Sequence, residues 1–466
     1  MKKIISVITA AALALSLCCC DKADDNSENS FSSSSEITNT TPDTNVTDGL
    51  VGLNEKNSSC TKDGFYYLED DLSKNGDYKH IMYIDFATKQ ETYLCSDNSC
   101  DHNNERCSSC FIRSVPGNML TEMFVYGEYL YILYICRSSD GSFGTSRQGM
   151  IPGKQNPSGK QCLYRMNLDG TNRMELFSFD NGLFVDNFIF GDGDDLWFYV
   201  HEENLKLSRL NGYSYIEAQK PALIKLSLSQ LAVIEQIPVK EISDVSLELR
   251  SCSGNKFVFR GIQYPDGMTE MEYMERLREL DEKPAEKAAL EKSCQGVYYT
   301  LDRDNKEFKE FYRTDTYIYS CQAYHGDLYL LPYELGVGIK VDIETGNAED
   351  FTAAEGYRIH DGMFADKFIC VSLSDPPESM AFYFVDPSTG EATKCDLQTA
   401  EDFMPIQPVT MYDGKAFVLY RYDRELNEHG NYRGWYPEYA FMELDDLFNG
   451  IPNYEPIKMI KKGEKS

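Results

Sequence analysis

Cys95-x4-Cys100-x-His102-x4-Cys107, with Cys110 three residues later, concentrates more chemistry than any other stretch of this chain. Three thiolates and an imidazole within thirteen positions of a polar loop can wrap one tetrahedral Zn²⁺. A short polar loop buries too little to hold its own shape, so a metal would supply the missing cross-link. Cys95, Cys100, Cys107 and Cys110 can instead form two disulfide pairs, with Cys60 as a further partner, in an exported chain. Four protein ligands leave no open coordination position, and a disulfide leaves no nucleophile. On either chemistry the expectation is a structural loop.

Other chemistry-bearing residues are scattered. Cys136, Cys162, Cys252, Cys294, Cys321, Cys370 and Cys395 show no ligand spacing and read as small apolar core residues. There is no G-x-S-x-G elbow, no H-E-x-x-H and no Gly-rich phosphate loop in the sequence. Among six histidines, His201 follows a strand and opens His-Glu-Glu-Asn, so it reads as a solvated loop histidine or one facing a channel. Arg433, Trp435, Tyr436 and Tyr439 lie in Tyr432-Arg-Gly-Trp-Tyr-Pro-Glu-Tyr439. Aromatics beside Arg and Glu can stack on sugars or clamp a peptide, and packing between blades, the favoured reading, explains the same residues. With 75 Asp+Glu, carboxylate pairs for glycoside chemistry are a question of separation in space, which sequence does not fix.

These residues must be positioned by strands. Tyr and Phe number 32 and 25, and they recur in a pattern of a Gly, Asp or Asn turn followed by an alternating aromatic and aliphatic run. The copies are 64–68, 127–133, 195–200, 255–259, 326–330, 366–370 and 414–418. A second signature, a strand ending in Asp before a tight polar turn, follows at 82–89, 163–171, 339–346 and 384–390. Two hairpins per unit at spacings of about 40–70 residues predict an all-β fold, a β-propeller of seven four-stranded antiparallel blades. Six or eight blades are the alternatives, because the boundaries between Ile112 and Phe124 and around Leu210 are weakly marked. One insertion, about 268–293, breaks the β pattern. Met271, Met274, Leu277 and Leu280 fall near helical spacing and Pro284 divides two short helices, expected as a hairpin on a blade edge or a docking arm.

The N-terminal end carries an address. Lys2 and Lys3 precede an uncharged run from Ile4 to Leu17 and then Cys18-Cys19-Cys20. A short positive region before a short apolar one is an export signal, too short to span a bilayer. The domains expected are therefore a signal peptide over 1–20, a polar stalk over 21–50 and a propeller over 51–466. Residues 21–48 hold Asp, Asn, Ser, Thr and Glu and too little apolar surface to offset ordering entropy. The formal net charge of −30 argues against nucleic acid and anionic lipid as partners of the folded part.

Leu15-Ser-Leu-Cys18 resembles a bacterial lipobox, with Cys20 the expected acylated residue and Cys19 and Cys18 its alternatives. Leu94 to Cys107 resembles a first-blade segment of the propeller lipoproteins of Gram-positive gut anaerobes, with Ser99 where that family often has Pro. Leu163-Tyr-Arg-Met-Asn-Leu-Asp-Gly-Thr171 is similar to repeats of the low-density-lipoprotein-receptor type of propeller. The resemblance implies a fold and an extracytoplasmic, membrane-anchored location; it brings no activity with it. The functional expectation is a membrane-tethered binding or scaffold module for a protein or glycan ligand, with one structural Zn²⁺ at most. A glycan-active enzyme with carboxylates in the channel, and a sensory subunit of a membrane complex, are the rivals.

Overall fold

Each of the seven aromatic runs becomes the second strand of its own antiparallel sheet, and the seven sheets form a seven-bladed β-propeller. The computed structural model describes residues 49–53, 58–71, 78–97, 99–103, 106–112, 122–135, 161–179, 183–207, 214–242, 244–315, 318–332, 338–351, 357–372, 381–399, 404–426 and 432–460. The expected signal peptide, Cys18 to Cys20 and nearly all of the stalk lie outside them. Blade 1 has strands Ser58–Cys60, Gly64–Asp71, Tyr78–Asp85 and Gln90–Tyr93, and blade 2 has Glu122–Tyr126, Tyr129–Ile135, Gln161–Asn167 and Met174–Ser178. Blade 3 comprises Leu183–Asp192, Asp195–Leu207, Ser214–Ser227 and Ala232–Pro238. Blade 4 comprises Val245–Ser253, Lys256–Gln263, Gln295–Asp302 and Phe308–Thr314. Blades 5, 6 and 7 follow from Ile318, Tyr357 and Gln407 in the same order.

Alternation along each strand gives one blade two apolar faces. In blade 3, Leu196, Phe198 and Val200 pack toward blade 2, while Trp197 and Tyr199 pack toward blade 4. In blade 7, Ala416 and Val418 meet blade 6, and Phe417 and Leu419 meet blade 1. Blade 6 divides its second strand likewise, with Phe368 and Cys370 toward blade 5 and Ile369 and Val371 toward blade 7. Every gap between neighbouring blades thus holds its own apolar cluster, the 7–1 gap included.

First strands of consecutive blades lie against one another, as between blades 1 and 2 and along blades 3 to 7, the inner position that lines the central channel of a propeller. First-to-second turns are tight, with positive φ at His325 and Gly326 and at Asp413 and Gly414, the geometry that matches strand twist. Third-to-fourth turns use Asp as expected: the Asp342 carboxylate accepts from Thr345 N (2.6 Å) and Oγ1 (2.7 Å). Burial pushes the Asp386 carboxyl up, but hydrogen bonds from Ser388, Thr389 and Lys367 outweigh it and bring it down to about 2. Blade 4 adds a copy at Asp302, which accepts from Asp304 N and Asn305 N. Blade 7 puts a short helix, Leu444–Phe448, in that place. Both turn sets lie on one face of the ring, here the turn face. Second-to-third connections, including the insertion, lie on the opposite loop face.

The insertion forms helices α1 (Glu270–Glu279) and α2 (Pro284–Lys292). Thr269 caps α1 in a box with Glu272, and Pro284 opens α2 at its first turn. The expected helical face is corrected at Met274, which is 45% exposed; Tyr273 and Leu280 are buried and Leu277 packs partly buried beside them. Tyr273 stacks on Tyr264 at 4.7 Å, so the arm continues the blade 4 hairpin.

Both chain ends cross blade boundaries. Val51 and Gly52 pair antiparallel with Gly191 and Phe190 on the channel side of blade 3. Leu50 N donates to Gly254 O (3.0 Å) in a first-to-second turn, so the chain enters the ring from the turn face. At the other end, Glu455 and Pro456 complete blade 7, and Lys458 then bridges to Gln90 on the outer strand of blade 1. Glu91 holds this seam. It accepts from Ile460 N (2.6 Å) and from the Tyr67 hydroxyl, while being only 4% exposed. Glu91→Ala leaves two shielded donors without an acceptor, so denaturant unfolding should show a loss of about 2–4 kcal/mol.

Candidate functional site

The Cys/His loop begins where the outer edge of blade 1 changes partner. The third strand pairs with Gln90–Tyr93 through Met82–Asp85, and with a short extra strand, Cys110–Ile112, through Tyr78–His80. Ile81 stands between and pins both ends of the loop. Leu94 N donates to Ile81 O (3.0 Å), and Ile81 N donates to Ser109 O (2.8 Å). Between those pins Cys95, Cys100, His102 and Cys107 converge, with their ligand atoms all within 4.8 Å of one another. Metal–sulfur bonds of about 2.3 Å at tetrahedral angles separate ligands by roughly 3.5–4 Å, so this set needs only a small contraction to hold an ion.

Supporting contacts fix the ligands. His102 stacks on Tyr93 (4.2 Å, 21°), whose ring also meets His80 edge-on, and its Nδ1 lies 3.3 Å from Cys107 Sγ. Its backbone has a positive φ of 48°, which turns the ring inward. Burial lowers the His102 pKa, keeping the neutral imidazole that ligates metal. Burial pushes the Cys107 thiol up to about 12, and Ser109 Oγ lies 3.0 Å from its sulfur. A bound dication would draw that proton off. Burial also pushes Cys95 upward, but hydrogen bonding with Asp97, Cys107, Ser108 and Cys100 takes it below the ordinary thiol value.

The disulfide alternative loses its fourth member. Cys110 is 1% exposed, sits in the ladder opposite His80 and is not among the clustered ligands. None of the eleven described cysteines is disulfide-bonded; Cys162, Cys252, Cys294, Cys370 and Cys395 are buried as expected for core residues, Cys321 is only half-buried, and Cys60, the further disulfide candidate, is buried as well. Cys136 lies outside the described residues.

The two stretches singled out in the sequence meet at this loop. Gly170, at φ +80°, turns the third-to-fourth hairpin of blade 2 against Leu94, where a Cβ would stand 2.5 Å from the Leu94 carbonyl oxygen. Arg173 donates to the carbonyls of Ser108 (3.1 Å) and Cys110 (2.6 Å) and covers the Phe111 ring at 4.6 Å. The loop is therefore rim structure between blades 1 and 2, remote from the channel.

The aromatic ligand candidates are corrected in part. Tyr439 is 5% exposed, stacked on Phe417 at 5.3 Å within the 7–1 seam, because strand alternation turns it toward blade 1. Tyr436 is buried too. Arg433 and Trp435 lie on strand Tyr432–Glu443, opposite Arg424 in the case of Trp435, and their side chains fall outside the described residues.

A second polar group lies along the channel wall between blades 3 and 5. Sequence reading touched it only at His201 and at Cys321, the latter as a core thiol. Glu248, Arg260 and Tyr298 are successive cross-strand partners in blade 4. Arg250 and Arg260 both ion-pair with Glu248. Burial pushes the Glu248 carboxyl up, but these guanidiniums outweigh it and hold it below the ordinary glutamate value. Cys321 of blade 5 is close enough to feel Arg260, although burial dominates and raises its thiol. His201 is half-buried beside Phe184 (5.1 Å); burial lowers its pKa and Asp186 opposes that. The available signal was Arg260 directly after Phe257-Val-Phe, a charge inside an apolar strand.

No family model and no curated protein matches this sequence. Solved structures similar to it include the β-propeller domain of the Trilobed protease from Pyrococcus furiosus, at 8% identity and TM-score 0.41, covering 88% of this chain and 98% of that one. Oligogalacturonate lyase from Vibrio parahaemolyticus matches at 12% identity and TM-score 0.38, covering 74% of this chain and 88% of that one. The Pyrococcus horikoshii acylaminoacyl peptidase matches at 11% identity and TM-score 0.40, with 73% of this chain and 45% of that one covered. This chain thus spans less than half of the peptidase, and at such values no activity transfers.

Gly170→Ala tests the contact between the loop and blade 2. Positive φ and a backbone oxygen at 2.5 Å both oppose a side chain there. The variant should lose more than about 1 kcal/mol in denaturant unfolding, with faster amide exchange at Leu94–Ser109.

Proposed function

We propose that this chain is an exported, lipid-anchored propeller that binds a protein or glycan ligand through its loop face, with one Zn²⁺ bracing the rim of blade 1. The observation that carries the reading is the entry of the chain from the turn face, at Leu50 beside Gly254. A tether arriving there leaves the opposite face, with the helical arm and the longer second-to-third connections, free to meet a ligand. Lys2, Lys3, the apolar run to Leu17 and Cys20 (or Cys19 or Cys18) support export and acylation. Multiple acyl chains make such an anchor stable where one would be marginal.

Two rivals are weaker. A glycan-active enzyme needs two carboxyls, one of which donates a proton, and Glu248, held below the ordinary glutamate value by two arginines, would not be that donor. A sensory subunit docking through the helical arm would place its partner on the side away from the tether. Among the described residues no helix is long and apolar enough to cross a membrane.

Replacing Cys18, Cys19 and Cys20 together with Ala should release the chain from membranes or leave it unprocessed. Full partition with lipid and normal processing in that variant would sink the anchor. For the rim site, protein purified under reducing conditions should carry about one Zn²⁺ per chain, and chelation should loosen Leu94–Ser109 before the blades. His102→Ala should weaken that binding. Metal-free protein with the loop cysteines mapped as disulfide pairs would overturn the zinc assignment.

A further inference from the structure

We propose that the channel wall between blades 4 and 5 is a binding site for a small oxyanion, a carboxylate or phosphate group, held by Arg250, Arg260 and Tyr298. The inference rests on reading the channel and loop face as the ligand end of the molecule, and it names the chemistry taken there.

Donors outnumber acceptors at this wall. Two guanidiniums carry ten N–H donors between them, and the one carboxylate they share, Glu248, offers about four acceptor sites. Arg250 Nε is shielded from solvent and has no hydrogen-bond partner among the described residues. The hydroxyl of Tyr298 is in the same condition, on a residue with 0% exposure. Buried polar groups in folded proteins are nearly always partnered, so two orphaned donors close enough to interact electrostatically mark a place where something else accepts. Tyr298 stands next to Arg260 in the cross-strand row Glu248, Arg260, Tyr298, and both arginines act electrostatically on its phenol.

The local charge selects the ligand. Glu248 balances one arginine and leaves a net positive charge, in a chain whose total is −30. A cation is excluded by two guanidiniums, and an apolar group would leave the donors unsatisfied. A planar or tetrahedral oxyanion can accept from a guanidinium edge and a phenol together. The side an anion would approach from is the channel, because Glu248 and Arg250 lie on the first strand of blade 4 and Cys321 on that of blade 5, while Arg260 and the fully buried Tyr298 stand one and two strands further out. Burial raises the Cys321 thiol, so it adds no competing negative charge. Glu248 splays the two guanidiniums and also repels the ligand, so the expected affinity is modest.

The test titrates the full mature chain with inorganic phosphate and, separately, with acetate, at ionic strength matched by chloride, using calorimetry and the thermal midpoint. Saturable binding of one equivalent of either ion is expected; which ion binds tells phosphate from carboxylate recognition. Tyr298→Phe should keep or raise the midpoint in chloride, since it removes an orphaned hydroxyl, and should weaken oxyanion binding about tenfold or more. Arg250→Gln should weaken it as well; if that variant fails to fold, Tyr298→Phe alone carries the test. No saturable response, or equal affinity in wild type and Tyr298→Phe, overturns the site. A chain that comes free of membranes yet still binds phosphate would lose the anchor and keep this site, so the two readings fail separately.

Discussion

Each sheet in this molecule has to bury both of its faces at once, and the remaining architecture follows from that demand. A four-stranded sheet with apolar residues on one side would pack in a sandwich. Here the second strands carry large side chains on both sides, as in Leu196-Trp197-Phe198-Tyr199-Val200, so every sheet needs two neighbours. Only a closed ring gives each sheet two neighbours and leaves none with a bare face. Blade 7 must therefore meet blade 1, and the aromatic packing of Phe65, Phe86, Phe417, Tyr439 and Phe441 across that gap makes it as apolar as the others.

Closure here differs from simple lateral packing in one respect. Every blade is built from consecutive strands, so no single sheet mixes the two ends of the chain in its main four strands. Among the described residues the seam lacks a shared hydrogen-bonded ladder of that kind, and the residues after blade 7 take its place. Lys458 bridges the backbone of Gln90, and Glu91 gathers the Ile460 amide and the Tyr67 hydroxyl on one buried carboxylate. A hydrogen-bonded carboxylate in an apolar seam specifies register more than it adds stability, since its desolvation offsets much of what its bonds contribute.

What the sequence made legible follows the same logic. Second strands were readable in all seven blades because double burial forces unbroken aromatic and aliphatic runs. Third-to-fourth turns were readable wherever Asp met Thr or Ser two or three residues on, as at Asp85, Asp169, Asp342 and Asp386. The blade 4 copy, Asp302-Arg-Asp-Asn, escaped notice because backbone amides of Asp304 and Asn305 replace the hydroxyl partner. Outer strands were faint: Ala232–Pro238 is mostly solvent-facing and has no alternation to read. Tyr439 stayed open between ligand contact and seam packing because a Tyr in a polar hairpin and a Tyr in a seam look alike until strand parity is known; it packs in the seam. The metal-ligand set was legible because thirteen consecutive positions contain it. The channel-wall group was not, because Glu248, Arg260, Tyr298 and Cys321 come from four strands of two blades.

The two unusual groups of this protein also differ in kind, and their radial positions say why. The Cys/His set lies at the outer edge of blade 1, where the third strand changes partner at Ile81 and the polypeptide makes a long excursion with little apolar surface to bury. A cross-link is what such a place lacks, and four closed ligands supply one without exposing reactive atoms. The arginine pair lies nearer the inner edge: Glu248 and Arg250 are on the first strand of blade 4 and Arg260 on the second, directly across the ladder from Glu248. A charge on a second strand lies between two packed sheets and is costly unless it is paired, and Glu248 supplies that partner to Arg260. First strands keep one aspect that no neighbouring sheet claims. Residues such as Glu248 and Arg250 can therefore vary while the apolar packing of the second strands on either side stays fixed.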